Sequence, residues 1–184
     1  MIQFILGGAR SGKSAYAEKI AKETEAHGVK VFYIATAQPH VPSYAGVKEG
    51  RENSVDPEMQ SRIQRHQADR PSHWKTIECS IKLAECLQAL DGKDHCFLVD
   101  CLTLWTLNVL ESGGLKEEKK ALLALLPELK ARVILVSNEV GLGVVPMGKL
   151  TRNFVDELGW LHQDIACCSD EVFFVTAGLP MKLK

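Results

Sequence analysis

The sequence predicts an α/β fold in which helices cover both faces of a mostly parallel central sheet. Unbroken apolar runs of strand length alternate with stretches of helical periodicity, which is typical of parallel strands buried on both sides. A glycine-rich loop separates the first apolar run from the first helical stretch, as expected for a strand-loop-helix unit of such a sheet. The length of 184 residues fits a single domain, and no internal repeat or interdomain linker divides the chain.

Six strands are predicted where apolar and β-branched residues run together without a helical period. The fourth run, Phe97-Leu98-Val99-Asp100, is wholly apolar until it ends in an acid, which indicates a buried strand with a polar tip. The run that begins at residue 172 is expected to be the final strand. In chain order the predicted strands span residues 2–6, 29–36, 74–78, 96–100, 133–136 and 172–176.

Six helices are predicted between these strands from apolar residues at three- and four-residue steps. The second has a clear start, since Asp56 suits the N-cap and Pro57 suits the first helical position, and Pro71 ends it. The segment 38–55 that precedes it is predicted to be a loop, because prolines and glycines interrupt any periodicity. The predicted helices span residues 14–25, 56–70, 81–90, 102–110, 116–130 and 150–168.

The glycine-rich loop fits the phosphate-loop pattern G-x-x-x-x-G-K-[ST] and predicts a P-loop NTPase-like fold that binds nucleoside triphosphates. Gly7 and Gly12 let the backbone bend so that several N–H groups converge on one cavity, and the helix adds its positive end. Lys13 supplies a charge for the outer phosphates, and the Ser14 hydroxyl suits Mg²⁺. The candidate phosphate-binding residues are Gly7, Gly8, Ala9, Arg10, Ser11, Gly12, Lys13 and Ser14.

Asp100 is a second candidate for the metal site. An acid at the tip of a neighbouring strand helps to hold Mg²⁺ in phosphate-loop enzymes, directly or through water. The alternative is that Asp100 is a helix N-cap or a solvated strand end, because aspartate is common at such positions. Together with the phosphate loop, Asp100 is better explained as a metal ligand beside Ser14.

The composition argues against several classes of protein. Lys and Arg number 22 and Asp and Glu 23, so the net charge of -1 gives no support to binding of nucleic acid or of a membrane surface. No apolar run reaches the roughly 18 residues needed to span a membrane. The chain starts directly with a core strand and not with a signal peptide, so we expect a cytoplasmic enzyme. The six cysteines form no C-x-x-C pair and are expected to be reduced thiols that fill core space.

Several segments together resemble one family, the bifunctional adenosylcobinamide kinase and adenosylcobinamide-phosphate guanylyltransferase of cobalamin assembly. The resemblance covers nearly the whole chain, and the order and spacing of its segments make it more specific than the phosphate loop alone. The matching segments include residues 7–14, Tyr33-Ile34-Ala35-Thr36-Ala37, Asp56-Pro57-Glu58-Met59, Arg62-Ile63-Gln64-Arg65-His66, residues 70–76 with Glu78, residues 98–103 with Asn108, Val136-Ser137-Asn138-Glu139-Val140-Gly141, and Ala177-Gly178-Leu179-Pro180.

The resemblance implies a reaction in two steps. ATP or GTP first phosphorylates the hydroxyl of the aminopropanol arm of adenosylcobinamide. GTP then donates GMP to that phosphate through a covalent histidine intermediate and releases pyrophosphate. The nucleophile of the family lies in an R-I-x-x-H segment, which here assigns the role to His66, with Lys13 as the charge that stabilises the phosphates.

The chemistry of His66 fits that assignment. A neutral imidazole can attack an α-phosphorus, and an ordinary histidine is largely neutral near pH 7. Considered alone, His66 would be better explained as a surface histidine on a polar helix face. His73 is its nearest competitor, and the remaining histidines are expected to be incidental.

The resemblance also implies nucleotide contacts beyond the phosphate loop. Glu78 and Asp100 bind either metal or ribose hydroxyls, and the sequence leaves both roles open. Asn138 and Glu139 are candidate helpers at a strand end, and a turn with a helix cap explains them equally well. The implied contacts are Thr36, Ala37, Gln38, Asp69, Arg70, Pro71, Ser72, Glu78 and Asp100.

Two features depart from the family pattern. Residues 39–55 form a longer insert than the short link expected there, and their composition favours a flexible surface loop over a cap on the cobinamide site. His162 stands where the resemblance leads us to expect asparagine. The resemblance further implies a homotrimer with sites made between subunits, which exposed apolar surface on residues 102–110 would fit.

Two other functions remain as alternatives to the two-step reaction. One is a generic phosphate-loop kinase of a small alcohol, for which His66 would be incidental. The other is a nucleotide-regulated binding protein without catalysis, which would bind nucleotide but would not turn over adenosylcobinamide.

Overall fold

Seven strands form one sheet in the residues that the computed structural model describes, which are 1–37 and 71–184. The strands are β1 (Ile2–Gly7), β2 (Lys30–Ala35), β3 (Lys75–Glu78), β4 (His95–Asp100), β5 (Arg132–Asn138), β6 (Glu171–Thr176) and β7 (Leu179–Lys182). Their order across the sheet is β3-β2-β4-β5-β1-β6-β7. Every neighbouring pair is parallel except β6 and β7, so the predicted mostly parallel sheet is confirmed.

Helices cover both faces of this sheet, as predicted. The helices are α1 (Lys13–Glu25), α2 (Leu83–Ala89), α3 (Leu102–Glu111), α4 (Leu115–Leu125) and α5 (Lys149–Cys168). On one face Ala17 and Ala21 of α1 pack with Tyr33, Leu98 and Ile134 of the strands. Side chains of the other four helices form the larger core on the opposite face, where Trp105 is fully buried. Successive strand residues alternate between these two cores, because side chains point to opposite faces of a strand.

The parallel strands bring polar strand ends to one edge of the sheet. Gly7 pairs with Asn138, Asp100 pairs with Val136, and Ala35 pairs with Asp100. Strand β5 therefore lies between the strand that carries the phosphate loop and the strand that ends in Asp100. Ligands of open α/β sheets bind at this carboxyl edge, and the candidate site is built there.

The helix predicted at residues 116–130 is shorter than expected. Helix α4 ends at Leu125, and a 3₁₀ turn at Leu126–Glu128 follows it. Pro127 has no N–H to continue the helical hydrogen bonds, which explains the early end.

Residues 172–176 lie in a strand, β6, as predicted. They are not the final strand, because β7 follows as an antiparallel edge strand. All four residues of β7 are exposed, so no buried face gives it a period in the sequence. The turn before it places Ala177 at φ 50° and Gly178 at φ 78°, a left-handed pair that usually carries Asn-Gly. Pro180 is tolerated since β7 is at the edge of the sheet.

Residues 102–110 of the single chain do not supply the exposed apolar surface that would fit a homotrimer. Leu102, Trp105 and Val109 of α3 are buried in the core, and none of the exposed large hydrophobic residues lies in this helix. Most of the exposed ones belong instead to one segment, residues 140–150. They are Val140, Leu142, Val144, Val145, Met147 and Leu150.

Three of the six cysteines fill core space as expected, whereas Cys167 is exposed. All six are free, and Cys79, Cys96 and Cys101 are buried. Burial raises the pKa of Cys96 to about 12 and that of Cys101 to about 11, so both stay protonated. In the ranges 1–37 and 71–184, no helix is both long enough and apolar enough to cross a membrane.

Candidate active site

The phosphate loop joins β1 to α1 through a backbone that requires glycine at two positions. Gly12 has φ +97°, and a Cβ there would lie 3.1 Å from the Cα of Gly178. A Cβ on Gly7 would lie 2.5 Å from both the Ser11 Oγ and the Val175 carbonyl oxygen. The two glycines therefore allow a close approach that any side chain would prevent.

Lys13 is the first residue of α1, and its side chain points back toward the start of the phosphate loop. Its Nζ donates a hydrogen bond to the Gly8 carbonyl at 3.2 Å, and the residue is only 9% exposed. Burial lowers the pKa of Lys13, while the nearby Cys101 and Asp100 act to raise it. The amine is thus within electrostatic range of the β4 tip as well as of the loop.

The Ser11 hydroxyl is a further group in this loop that suits a phosphate ligand. It is buried and has no hydrogen-bond partner among the described residues. A buried hydroxyl without a partner is costly, and a phosphate oxygen is a suitable acceptor for it. The geometry of the loop therefore fits a triphosphate, which is the ligand that its sequence pattern predicts.

Asp100 is held in place by a tyrosine that the sequence analysis did not assign to the site. The Tyr33 hydroxyl, on the adjacent strand β2, donates to the Asp100 Oδ2 at 3.0 Å. This bond leaves Oδ1 for another partner. No group of three or more His, Cys, Asp or Glu side chains in residues 1–37 and 71–184 forms a metal site. A cation here would thus be held by the Asp100 carboxylate, the Ser14 hydroxyl, and oxygens of the ligand or of water, a donor set that fits Mg²⁺.

Glu78 and Asp100 flank the same residue of β2. Glu78 pairs with Ala35 from β3, and Asp100 pairs with Ala35 from β4. Directly paired residues project from the same face, so both side chains lie on the α1 side, on strands about 10 Å apart. Glu78 is exposed. This placement suits two separate contacts with one extended nucleotide.

The hydroxyl of Thr36 makes hydrogen bonds within the fold. It is fully buried, and its Oγ1 donates to the Cys101 carbonyl at 2.7 Å and accepts from the Cys101 N–H at 2.8 Å. Asn108 of α3 donates to the Thr36 carbonyl at 2.9 Å and to the Ser80 carbonyl at 3.2 Å. Thr36 thereby ties the end of β2 to the turn that follows Asp100. The next residue, Ala37, is half-buried and is the last one described before the gap.

Four candidate residues lie outside the described ranges: Gln38, His66, Asp69 and Arg70. So do the predicted helix 56–70 and the insert 39–55. Pro71 and Ser72 resume the described chain; Pro71 is half-buried and Ser72 exposed, and the Pro71 carbonyl accepts from the Trp74 N–H at 3.1 Å.

The described histidines are all engaged elsewhere. His73 is the competitor of His66, and its Nε2 lies 2.7 Å from the Glu25 Oε1. Glu25 is the last residue of α1, about 18 Å along the helix from Lys13. The Nδ1 atoms of His27 and His95 bond to backbone carbonyls, and the His162 Nε2 bonds to Ser137. None of these four is placed for attack on a phosphate in the loop.

Asn138 and Glu139 lie beside the phosphate loop. Asn138 pairs with Gly7, and its N–H donates to the Thr103 Oγ1 at 2.7 Å. The Glu139 N–H donates to the Gly7 carbonyl at 3.0 Å. These bonds extend the β1–β5 pairing to the first residue of the loop, and they make the end of β5 one wall of the site.

The turn between β6 and β7 forms the other wall of the site. The sequence did not indicate that this turn belongs to the site. The Gly178 N–H donates to the Ser11 carbonyl at 2.8 Å, where Gly12 approaches the same glycine. The Ala177-Gly178-Leu179-Pro180 match could have pointed to this turn. The contact itself joins residues too distant in the chain for any local pattern to reveal.

Comparison with known proteins identifies similar chains over the full length. A family model described as cobinamide kinase / cobinamide phosphate guanyltransferase matches residues 3–183. The bifunctional adenosylcobalamin biosynthesis protein CobP of Pseudomonas aeruginosa is 51% identical over 187 residues, covering 100% of this chain and 98% of that protein. CobU of Salmonella typhimurium, with the same printed description, is 34% identical over 200 residues, covering 100% of both chains.

Solved structures show likeness of fold alone. A DnaB-like replicative helicase superposes with a TM-score of 0.50 at 16% identity, over 94% of this chain and 46% of that one. A Pyrococcus horikoshii OT3 protein studied as PH0250 superposes with a TM-score of 0.50 at 10% identity, over 100% and 85%. Together with the loop geometry, these likenesses confirm the predicted P-loop NTPase-like fold.

Proposed function

The chain belongs to the cobinamide kinase / cobinamide phosphate guanyltransferase family, and from this membership we infer which residues carry out its two reactions. As a member it is an enzyme of cobalamin biosynthesis that phosphorylates adenosylcobinamide and then transfers GMP from GTP to adenosylcobinamide phosphate, giving adenosylcobinamide-GDP. The observation that carries the assignment is 51% identity to a bifunctional relative across the whole chain, with an intact phosphate loop.

We propose that one phosphate loop serves the nucleotide in both steps. The N–H groups between Gly8 and Ser14 and the α1 N-terminus surround the phosphates, and Lys13 and the Ser11 hydroxyl contact their oxygens. Ser14 and Asp100 would hold Mg²⁺, which would neutralise phosphate charge. Glu78 is exposed at the next strand end and binds ribose hydroxyls. Ala37, Gln38, Asp69, Arg70, Pro71 and Ser72 complete the nucleotide site at the two ends of the segment outside the described ranges.

The kinase step needs positioning more than covalent chemistry. The hydroxyl oxygen of the aminopropanol arm attacks the γ-phosphorus, and the bond from that phosphorus to the β–γ bridging oxygen breaks. The nucleoside diphosphate leaves with the electron pair, and the hydroxyl proton passes to water. Lys13 offsets the charge that develops on the bridging oxygen.

The transfer step uses His66 as the nucleophile. A neutral imidazole nitrogen attacks the α-phosphorus of GTP, a P–N bond forms, and pyrophosphate leaves as the α–β bridging bond breaks. A phosphate oxygen of adenosylcobinamide phosphate then attacks the same phosphorus. The P–N bond breaks, and the imidazole returns to its neutral form. The engagement of His27, His73, His95 and His162 elsewhere supports His66 in this role.

GTP labelled at the α-phosphate tests this proposal. The wild-type chain should retain an acid-labile, base-stable label, and His66→Ala should lose it while its kinase activity persists, because the phosphate loop is unchanged. His73→Ala is the matched control and should label fully, since His73 lies at the far end of α1. Full labelling of His66→Ala would place the nucleophile at another residue, and no label on the wild-type chain would leave a plain kinase as the explanation.

We further propose that the enzyme is a cytoplasmic homotrimer with sites completed between subunits. The exposed apolar side chains of residues 140–150 support an interface next to the phosphate-loop edge, since Val144 is 96% and Met147 95% exposed. Six free thiols fit a reducing compartment. Light scattering should give about three times the 20.3 kDa chain mass, and Val144→Asp should lower it. A wild-type mass of one chain at working concentration would contradict the trimer.

A further inference from the structure

A chain of buried polar groups connects α5 to the end of β5 behind the phosphate loop. The His162 Nε2 lies 2.8 Å from the Ser137 Oγ, and Ser137 is fully buried. The Ser137 Oγ lies 3.1 Å from the Thr103 Oγ1, which accepts the Asn138 N–H at 2.7 Å. Because His162 is itself only 7% exposed, water does not compete for these bonds.

One tautomer of His162 satisfies both of its polar neighbours. The Glu139 carboxylate, which can only accept hydrogen bonds, lies beside Nδ1 and favours a proton on that nitrogen. Nε2 is then an acceptor, and the Ser137 hydroxyl can donate its proton to it. A neutral imidazole in this arrangement carries its proton on Nδ1.

The protonated Nδ1 faces Glu139, which contacts the phosphate loop. Nδ1 lies 3.7 Å from the Glu139 Oε2, and the other carboxylate oxygen accepts the Gly141 N–H. The backbone N–H of Glu139 donates to the Gly7 carbonyl at 3.0 Å. Residue 139 thus joins three parts of the molecule: the imidazole of α5, the start of the 140–150 segment, and the first residue of the loop.

The surroundings of His162 disfavour its charged form. Among the described residues, the charged group that faces it is the Glu139 carboxylate. Strand β1 contributes the Phe4 ring at 5.6 Å, and β5 and α3 contribute the two hydroxyls. Burial lowers the pKa of His162, and Glu139 opposes that shift. A proton on Nε2 would require the Ser137 hydroxyl to accept a hydrogen bond from that nitrogen instead of donating one to it.

We propose that His162 is a positioning residue for nucleotide binding: its neutral imidazole, protonated on Nδ1, holds Ser137 and Glu139 so that the end of β5 stays fixed against Gly7. The proposal rests on the proposed function only in taking a nucleoside triphosphate as the ligand of the loop.

Binding of a fluorescent N-methylanthraniloyl GTP tests the proposal without any chemical step. His162→Phe keeps a ring against Phe4 and removes both polar contacts, so its Kd should rise about tenfold. His162→Gln keeps a neutral polar group of similar reach and should stay within about twofold. The matched control is His95→Phe, which removes a half-buried histidine that contacts Phe32 and the Leu90 carbonyl at the opposite edge of the sheet. It should bind like the wild type, and wild-type affinity in His162→Phe would overturn the proposal.

Nitrogen chemical shifts of ¹⁵N-labelled histidine give a second measurement that needs no substitution at His162. At pH 7 the ring should be neutral with its proton on Nδ1, the tautomer that free histidine disfavours. Ser137→Ala, a small change, should shift the ring toward the Nε2-protonated form and weaken nucleotide binding several-fold. A ring that is charged at pH 7 or protonated on Nε2 in the wild type would refute the network. If the wild type bound no nucleotide, the proposed function would fail while the shifts still tested the network.

Discussion

Replacing Thr36 with valine tests whether its hydroxyl serves the fold or the nucleotide. The substitution keeps the shape and removes two hydrogen bonds to Cys101, of 2.7 and 2.8 Å. Thr36 is 0% and Cys101 6% exposed, so the Cys101 N–H and carbonyl would have no water to replace the lost partner. The Cys101 carbonyl would still accept the Trp105 N–H, so the unsatisfied group is the Cys101 N–H, which gives a loss of about 1–3 kcal/mol. Thr36→Ser keeps the hydroxyl and should cost only about 1 kcal/mol for the missing methyl group.

Urea unfolding followed by tryptophan fluorescence measures this loss. With an m-value of about 2 kcal/mol/M, the midpoint of Thr36→Val should fall by about 0.5–1.5 M at unchanged m. Nucleotide affinity of the folded protein should change only a few-fold, because a hydroxyl engaged with Cys101 is not free for a ligand. A wild-type midpoint combined with a large loss of GTP affinity would refute the reasoning and make Thr36 a direct nucleotide contact.

Three further outcomes are expected. Tyr33→Phe removes the donor to the Asp100 Oδ2, so the Mg²⁺ concentration that half-saturates the kinase reaction should rise several-fold; an unchanged requirement would separate Asp100 from the metal. Gly12→Ala, at φ +97°, should cost at least about 1–2 kcal/mol in urea unfolding and more than tenfold in nucleotide affinity, whereas Gly28→Ala, at φ +84° in open space, should affect stability alone. Burial lowers the pKa of His162, so below about pH 6.5 the unfolded chain binds a proton that the native state resists. Stability should therefore fall as the pH drops below about 6.5, and His162→Gln should lose part of that dependence.

Local patterns predicted most of the fold because most of its elements have a buried face. The strand that ends in Asp100 and the long helix α5 were predicted within one or two residues of their observed bounds. The exception is β7, whose exposed residues have no apolar period and whose turn begins with Ala177 in a left-handed conformation. Helix α4 was overextended because apolar residues continue past Pro127.

The site was predicted unevenly for a related reason. The residues of the phosphate loop are adjacent in the chain, so the motif contains nearly all of its geometry. Thr36 was nominated as a nucleotide contact, yet its hydroxyl bonds to a residue 65 positions away. Tyr33 was part of the family match, but nothing in the sequence indicated that it belongs to the site. Its hydrogen bond to Asp100, 67 positions away, shows that it contacts a site residue. Sequence spacing does not encode such pairs, because the sheet order that brings them together is a property of the whole fold.

The sequence by itself determined the fold class, the phosphate loop and the family of this protein, because each depends on residues that act through local periodicity or through a contiguous motif. Only the tertiary structure decided that Gly178 closes on the loop, that His73 bonds to the far end of α1, and that His162 meets Ser137 and Glu139. Hydrogen bonds act over about 3 Å, and which distant groups come that close is settled by strand order and packing.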